Sequence, residues 1–416
     1  MMKKIAAIML TAKAFYVGNY WSVLVFIKLG DTIWTKEQCL SFGNKAVNLH
    51  SLICNSFDVP DGFCISNATQ EDIKFIWQRL EDFIPLAVRS SMSNEDGENV
   101  SNAGRYNSVI GVCTYGGLTN AITEVLNCKE DGGAVIVQPC VAADVSGVVF
   151  SSVSAEDDHC VIEATFGLGE ILVAGVCVPD RYIVQDGVIV EKNISKTKTI
   201  GLHIVEDTAT IGDQIFAHPN SRIVINSGRK AIVSYNPVQK RTACLSDESI
   251  VELSKIAKSI EGFFNHPQDI EFAYCNERGF VILQSRPITK SFLHGQYMGR
   301  NKGLNHNYTK NDILFGVGAS AGVSRGRAIT EETETIDDEG LILVMDQLEP
   351  QLLYKCANRI QGIVCASGSV LCHAAIFARE NGIPCVVAIG ESIRMIEDGN
   401  VLEIDGETGS VRIIEG

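Results

Sequence analysis

The chain of 416 residues has no basic stripe, no CxxC pair or cysteine/histidine zinc spacing, no internal repeat and no low-complexity tract. Thirty-five Lys and Arg stand against fifty Asp and Glu, a formal net charge of −15, which argues against a nucleic-acid or anionic-membrane surface. Any bound polyanion must then be held locally, by a few cations, backbone amides and a metal. Fourteen cysteines are scattered through the chain, which is far too long to need disulfide staples. They read as reduced thiols of a cytoplasmic protein, mostly small core hydrophobes. With 20% charged and 46% hydrophobic residues, the chain is neither disordered nor fibrous, and its length predicts two or three domains.

Long apolar runs are also scarce. Lys3 and Lys4 ahead of Ile5–Leu10 imitate a short signal peptide, but the apolar stretch is brief. The charge-free run Ala14–Ile27, bracketed by Lys13 and Lys28, is short for a membrane span. Its Tyr16, Val17, Tyr20, Trp21, Val23, Val25 and Ile27 favour a strand or hairpin. Residues 1–30 are read as an N-terminal extension, with an upstream stretch from a misassigned start codon as the second reading.

Beyond it, residues 31–290 alternate β-rich runs such as Ala134–Gln138, Gly147–Ser151, Tyr182–Val184 and Phe280–Gln284 with helical stretches such as Ile73–Phe83 and Ile250–Phe264. Short turns between many strands predict an α+β domain with antiparallel sheet. Residues 291–311 carry Gly and Asn with little apolar periodicity and predict a flexible linker. In residues 312–416, Leu341–Met345, Gly362–Ala366, Cys385–Ala388, Val401–Ile404 and Ser410–Ile414 read as strands. Helices near Leu352–Ile360 and His373–Asn381 complete a small α/β unit.

Two constellations carry chemistry. In Gln268–Phe272, alternation puts Asp269 and Glu271 on one strand face. If Asn276–Gly279 is a four-residue hairpin loop, Cys275 faces Phe280, Glu271 lies opposite Gln284, and Asp269 lies opposite Arg286. Two carboxylates, an amide oxygen and a guanidinium suit Mg²⁺ bound to a polyphosphate. The plainer alternative, a solvated hairpin face, is weakened by apolar residues flanking both strands. Lys45, after a Gly43 turn at a helix start, and Arg89, at a strand end before the stretch Ser93–Gly104, add the cations of a nucleotide-triphosphate site. Farther on, the Gly/Ser loop Gly368–Cys372 feeds a helix beginning at His373. Free N–H groups and the positive end of the helix dipole favour an anion there. From position alone, His373 as a cap or packing residue is the plainer reading, and a phosphoryl carrier the sharper one.

At these residues the sequence resembles the phosphoenolpyruvate-utilising dikinase family: pyruvate phosphate dikinase, phosphoenolpyruvate synthase, rifampicin phosphotransferase and their relatives. Gly43–Leu49 is similar to GGKGANL, Val59–Phe63 to VPPGF, Val88–Ser91 to VRSS and Ser101–Gly104 to SFAG. Val135–Cys140 resembles VVVQKM, Ser146–Phe150 SGVAF, Phe166–Glu170 WGLGE, Gln268–Phe272 QDIEW and Leu283–Pro287 LQARP. Gly316–Gly326 is similar to GxxASPGxxxG, and Gly368–Pro384 resembles GGxTSHAAIxARExGIP. Departures are Asn44 for Gly, Asn102 for Phe, Ala321 for Pro, Ser369 for Gly and Leu371 for Thr.

The resemblance implies an α+β ATP-grasp domain followed by a small α/β swivelling phosphohistidine domain. It implies that Lys45, Arg89 and Arg286 contact phosphates, that Glu271 and Gln284 hold Mg²⁺ with Asp269 beside them, and that Gln138 lies by the adenine. His373 would carry a phosphoryl group taken from the β-position of ATP, leaving AMP and phosphate. The residues after Thr289 show no pyruvate-binding (β/α)₈ domain and no room for a drug-binding one. Either the two domains bind a small acceptor in their cleft or another polypeptide supplies its site; the leading expectation is a small molecule, with an amide or hydroxyl group as in glutamine kinase-like relatives. Alternatives are a phosphocarrier that hands the group to a partner protein supplying the acceptor site, a pyruvate,water dikinase-like fragment, and an inactive nucleotide-binding remnant. The last is disfavoured by the joint presence of all the site residues.

Overall fold

A computed structural model describes residues 16–17, 20–21, 26–30, 34, 36–92, 108–127, 133–152, 158–175, 177–195, 201–206, 221–223, 230–235, 242–288, 313–330, 340–346, 353 and 358–415. The chain enters through a short hairpin of β1 (Tyr16–Val17) and β2 (Tyr20–Trp21), followed by β3 (Phe26–Lys28). β3 pairs with β4 (Phe63–Ile65) as an edge of the first sheet. The first domain therefore includes residues before 31, because a β-prone segment next to an open sheet edge satisfies its backbone there. The intended linker 291–311 and the stretch 93–104 lie outside the described residues.

Helix α1 (Lys36–Cys54) is broken at Gly43, whose φ of 78° and ψ of 164° lie outside the helical region. A Cβ at Gly43 would fall 2.4 Å from the Ser91 carbonyl oxygen, so only glycine lets the chain turn this close to the sheet. After α2 (Gln70–Leu80) come β5 (Leu86–Ser91), β6 (Ser108–Val112), α3 (Tyr115–Asn127) and β7 (Ala134–Pro139). Thr69 and Asp72 close a reciprocal capping box, which starts α2 ahead of the expected Ile73. Alternation on β7 divides the packing: Val135 and Val137 join Ile76, Leu118 and Ile122 on one face. Ala134 and Ile136 meet Ala46, Leu49 and Leu52 of α1 on the other.

The second sheet is antiparallel throughout, with strands β8 (Val145–Phe150), β9 (Cys160–Phe166), β10 (Asp180–Gln185) and β11 (Val188–Asn193), and α4 (Glu170–Val173) following β9. β12 (Gly201–Glu206) pairs with β14 (Lys230–Tyr235), and β13 (Ser221–Ile223) extends the first sheet. Helix α5 (Asp247–Phe264) precedes the hairpin of β15 (Gln268–Cys275) and β16 (Gly279–Pro287), giving the order β11-β10-β9-β8-β15-β16. α5 is capped by the Ser246 side chain and stopped by left-handed Asn265. Its Ile250, Leu253, Ala257 and Ile260, at helical spacing, bury against Ile162, Tyr182 and Phe272. Each such burial is worth roughly 1.5–3 kcal/mol for the larger side chains. On β9, Cys160, Ile162 and Ala164 face this layer, so Val161, Glu163 and Thr165 face the opposite way.

The second domain has β17 (Ile313–Phe315), β18 (Val317–Ser320), β19 (Val323–Ile329), β20 (Leu341–Met345), β21 (Ile360–Cys365), α6 (His373–Asn381), β22 (Cys385–Val387), β23 (Val401–Asp405) and β24 (Ser410–Glu415). They form one mixed sheet in the order β17-β24-β23-β19-β20-β21-β22-β18, parallel from β19 through β22. The helix expected over 352–360 is described only at Leu353, and Ile360 already opens β21. Val148, Phe150 and Val161 of the first domain share a core with Cys372, Ala375 and Phe377 of the second. The Ser367 hydroxyl also donates to the Gly175 carbonyl at 2.6 Å.

Candidate functional site

The β15/β16 hairpin sets the first part of the site. Cys275 pairs with Gly279, not Phe280, so the loop is one residue shorter than expected. Gly279 takes a positive φ of 86°, where glycine is the residue that fits. A bulge between Glu271 and Phe272 then restores the register, so Glu271 faces Gln284 and Asp269 faces Arg286 as expected.

A cleft of about 1210 Å³ lies between the two sheets of the first domain and is closed by the second. Lys45, Arg89, Gln138, Glu271, Gln284, Arg286 and His373 all line it. Lys45 is 5% exposed and sits just after the Gly43 break. Ser91 anchors that turn: its hydroxyl donates to the Phe42 carbonyl at 2.6 Å and accepts the Ala46 N–H at 2.9 Å. Asn48 ties the same helix to β16 through the Ser285 carbonyl at 2.9 Å.

Arg89 is inside β5, paired on both sides, and not at its end as expected. Its Nη2 donates to Glu271 Oε2 at 2.9 Å and to Gln284 Oε1 at 2.8 Å, while Nη1 holds the Leu283 carbonyl at 2.7 Å. One nitrogen touching both oxygens shows that the carboxylate and amide oxygens converge on a single point where a cation is favoured. Among the described residues no three His, Cys, Asp or Glu side chains gather as a metal cage. Two protein oxygens fit Mg²⁺, which keeps waters and takes phosphate oxygens for the rest of its shell.

Asp269 is not among the cleft-lining residues. It is 5% exposed and accepts from Arg286 Nε at 2.8 Å. Burial pushes its carboxyl upward, with the Arg286 charge pulling the other way. Its part is thus to aim Arg286, because a buried guanidinium needs a counter-charge. Gln138 lines the cleft, but its Nε2 is engaged with the Pro60 carbonyl at 2.7 Å.

His373 is the first residue of α6, half-buried, and lines the same cleft as Lys45, Arg89 and Arg286 of the other domain. Arg379, in the last turn of α6, donates to the carbonyls of Val370 and Ala319 at 2.8 and 2.7 Å and fixes the loop ahead of the histidine. Two acidic residues were not singled out by sequence. Glu170, from the FGLGE run, lines the cleft with one carboxylate oxygen lacking a hydrogen-bond partner among the described residues. Burial raises its pKa, Arg89 opposes this, and Glu271 adds to it. Glu163 lies on the same sheet face, 3% exposed, and accepts the Leu371 N–H at 3.2 Å. The motif signalled the first; nothing local signals the second. Cys140, also in the cleft, is pushed up to about 12 by burial, so it is a neutral thiol and not a nucleophile.

Two sheets gripping a cation-lined cleft, closed by a separate domain that supplies a histidine, define a two-domain nucleotide-binding class. Residues 127–297 match the family described as pyruvate phosphate dikinase, AMP/ATP-binding domain. Residues 337–409 match the PEP-utilising enzyme mobile domain. A probable phosphoenolpyruvate synthase of Archaeoglobus fulgidus is 32% identical over 352 residues, covering 78% of this chain and 43% of its own length. Another, of Methanothermobacter thermautotrophicus, is 29% identical, with 88% of this chain and 52% of its own covered. The phosphoenolpyruvate synthase of Pyrococcus furiosus is 30% identical, with 86% and 44% covered. The chain belongs to the phosphoenolpyruvate-utilising dikinase family, and its architecture is the α+β ATP-grasp domain followed by the small α/β swivelling phosphohistidine domain. It spans about half the length of these curated relatives. Among the described residues no helix is long and apolar enough to cross a membrane.

Proposed function

We propose that this chain is an ATP-dependent phosphotransferase that moves the β-phosphoryl group of ATP to His373. The observation that supports this most is the arrangement of one imidazole across a single cleft from Lys45, Arg89, Glu271, Gln284 and Arg286. The nucleophile is the neutral form of the imidazole, since a protonated ring has no lone pair to offer. The lone pair of the neutral ring attacks the β-phosphorus, the bond from this phosphorus to the bridging oxygen of the α-phosphate breaks, and AMP departs. Water takes the γ-phosphate, so ATP, water and His373 give AMP, inorganic phosphate and phospho-His373. Lys45, Arg89 and Arg286 offset the charge on the phosphates. Arg89 must trade part of its hold on Glu271 and Gln284 for phosphate oxygens, freeing those two oxygens as Mg²⁺ ligands. Mg²⁺ held there supplies charge neutralisation at the polyphosphate. Gln138 packs beside the adenine, whose hydrogen bonds fall to the neighbouring backbone.

The acceptor is a small molecule bearing an amide or hydroxyl group, and the protein works in the cytoplasm. A second reading is transfer to an acceptor held by a partner protein; repeated turnover by the purified chain alone with ATP and a small-molecule acceptor would exclude it. The test is phosphorus NMR and intact-protein mass on the purified chain with Mg-ATP and no acceptor, wild type beside His373→Ala. Acid-labile phosphorylation of wild type alone, with AMP and phosphate formed, is the expected result. AMP formed equally by the variant, or ADP as the sole product, would sink the mechanism.

A further inference from the structure

The Glu163 carboxylate sits in the middle of the second sheet of the ATP-grasp domain, on the face that meets the swivelling domain, and its strand neighbour is Arg181 on β10. It is 3% exposed, and Arg181 is 8% exposed with its Nη2 committed to Glu191 at 2.8 Å. Across the domain boundary, Glu163 Oε2 accepts the Leu371 N–H at 3.2 Å. Ser369 is itself buried, and its Oγ also accepts the Leu371 N–H at 3.2 Å. Leu371 runs directly into Cys372, the cap of α6, and then His373. One buried acidic side chain thus holds a backbone N–H of a loop belonging to the other domain, two residues ahead of His373.

We infer that Glu163 is a positioning residue: by accepting the Leu371 N–H at the domain boundary it seats the swivelling domain on the ATP-grasp sheet and aims His373 at the nucleotide. A backbone N–H sealed at an interface needs its acceptors, and losing the carboxylate leaves that of Leu371 only the Ser369 hydroxyl at 3.2 Å. The seat exists only in the docked arrangement, since Glu163 and residues 369–371 belong to bodies that must separate when the histidine visits an acceptor. Burial raises the Glu163 carboxyl, and the polar groups of Ser369, Val370 and Leu371 together with the Arg181 charge hold it down, in keeping with a group enclosed by this contact. The role deepens the proposed phosphotransfer and rests on it, but the seat itself is tested without any chemistry.

Two variants separate acceptor from filler. Glu163→Gln keeps a side-chain acceptor at nearly the same place; Glu163→Met fills a similar volume with none. In rapid-quench single turnovers with Mg-ATP, phosphorylation of His373 should slow at least about tenfold in Glu163→Met and by no more than about threefold in Glu163→Gln, with ATP affinity unchanged in both. A packing role predicts the reverse order or no difference. Amide hydrogen exchange of the 368–372 loop, without nucleotide, should be about tenfold faster in Glu163→Met than in wild type. Ser369→Ala, altered from the other side, should speed the same exchange even if both Glu163 variants fail to fold. Equal exchange and equal phosphorylation in wild type and Glu163→Met would overturn the inference. Faster exchange in Glu163→Met, with no phosphorylation of wild type, would leave the seat standing and remove the proposed reaction.

Discussion

One wall of the cleft carries Lys45, Arg89, Glu271, Gln284 and Arg286 on a helix and three strands of two sheets, whereas the other offers His373 from the first turn of α6. The first wall is held by paired β-ladders and the buried Arg286–Asp269 ion pair, so its backbone frame is set before a polyanion arrives and only the Arg89 contacts exchange. The second is held to the first by a shared apolar core and a few polar bonds, Ser367 to Gly175 and Leu371 to Glu163 among them. Fixed charges on one domain and a histidine on another suit the proposed carrier mechanism, in which the nucleotide stays and the group leaves. Within the first wall the same contrast recurs at smaller scale. Arg286 and Asp269 are 7% and 6% exposed at the side chain, while Arg89 and Glu271 are 16% and 21%. The enclosed pair fixes a direction; the more open pair can exchange partners with a ligand.

The largest effect beyond loss of His373 itself is expected at Glu271. Glu271→Ala removes one converging oxygen and releases Arg89, and should lower the single-turnover rate by about 10²–10³-fold, with the Mg²⁺ concentration for half-maximal rate rising. A loss that excess Mg²⁺ does not change would deny Glu271 its ligand role. Asp269→Asn leaves a buried guanidinium with a neutral partner, costing about 3 kcal/mol of stability and weakening ATP binding; urea melts and calorimetric titration read the two effects. Full stability in that variant would mean that Arg286 is held by something other than its ion pair.

Docking should depend on pH through Glu163. Its docked carboxyl lies above the ordinary range, so docking takes up a proton. The contribution favouring the closed form is then complete below the carboxyl's open-state value and is lost as pH rises through the docked one. The radius of gyration from X-ray scattering should rise as pH is raised above the ordinary carboxylate range in wild type and less so in Glu163→Gln; equal curves would refute the link. The smallest effect is expected for Ser367→Ala, which removes one hydroxyl bond across the boundary and should change the single-turnover rate by about threefold.

The site residues Lys45, Arg89, Glu271, Gln284, Arg286 and His373 were legible in the sequence because each sits in a short motif whose period or turn residue fixes it locally. The β15/β16 pairing was legible for a similar reason, although two errors cancelled: the loop is shorter than expected, and a bulge makes up the difference. Asp269 could not be told from its ligand-facing neighbour Glu271, since alternation puts both on one face and only the fold shows which reaches the cleft. The edge strand Phe26–Lys28 was assigned to an extension because its partner, Phe63–Ile65, is distant in sequence.

The sequence by itself determined the two-domain order, the strands and helices that carry motifs, and the charge of the cleft-facing side chains, because these follow from near neighbours along the chain. Only the tertiary structure decided which cation rests on which oxygen, that Glu170 enters the cleft, and that Glu163 meets Leu371 across 208 positions of sequence. Such contacts depend on how separate sheets and domains pack, and no local period encodes the relative placement of two bodies.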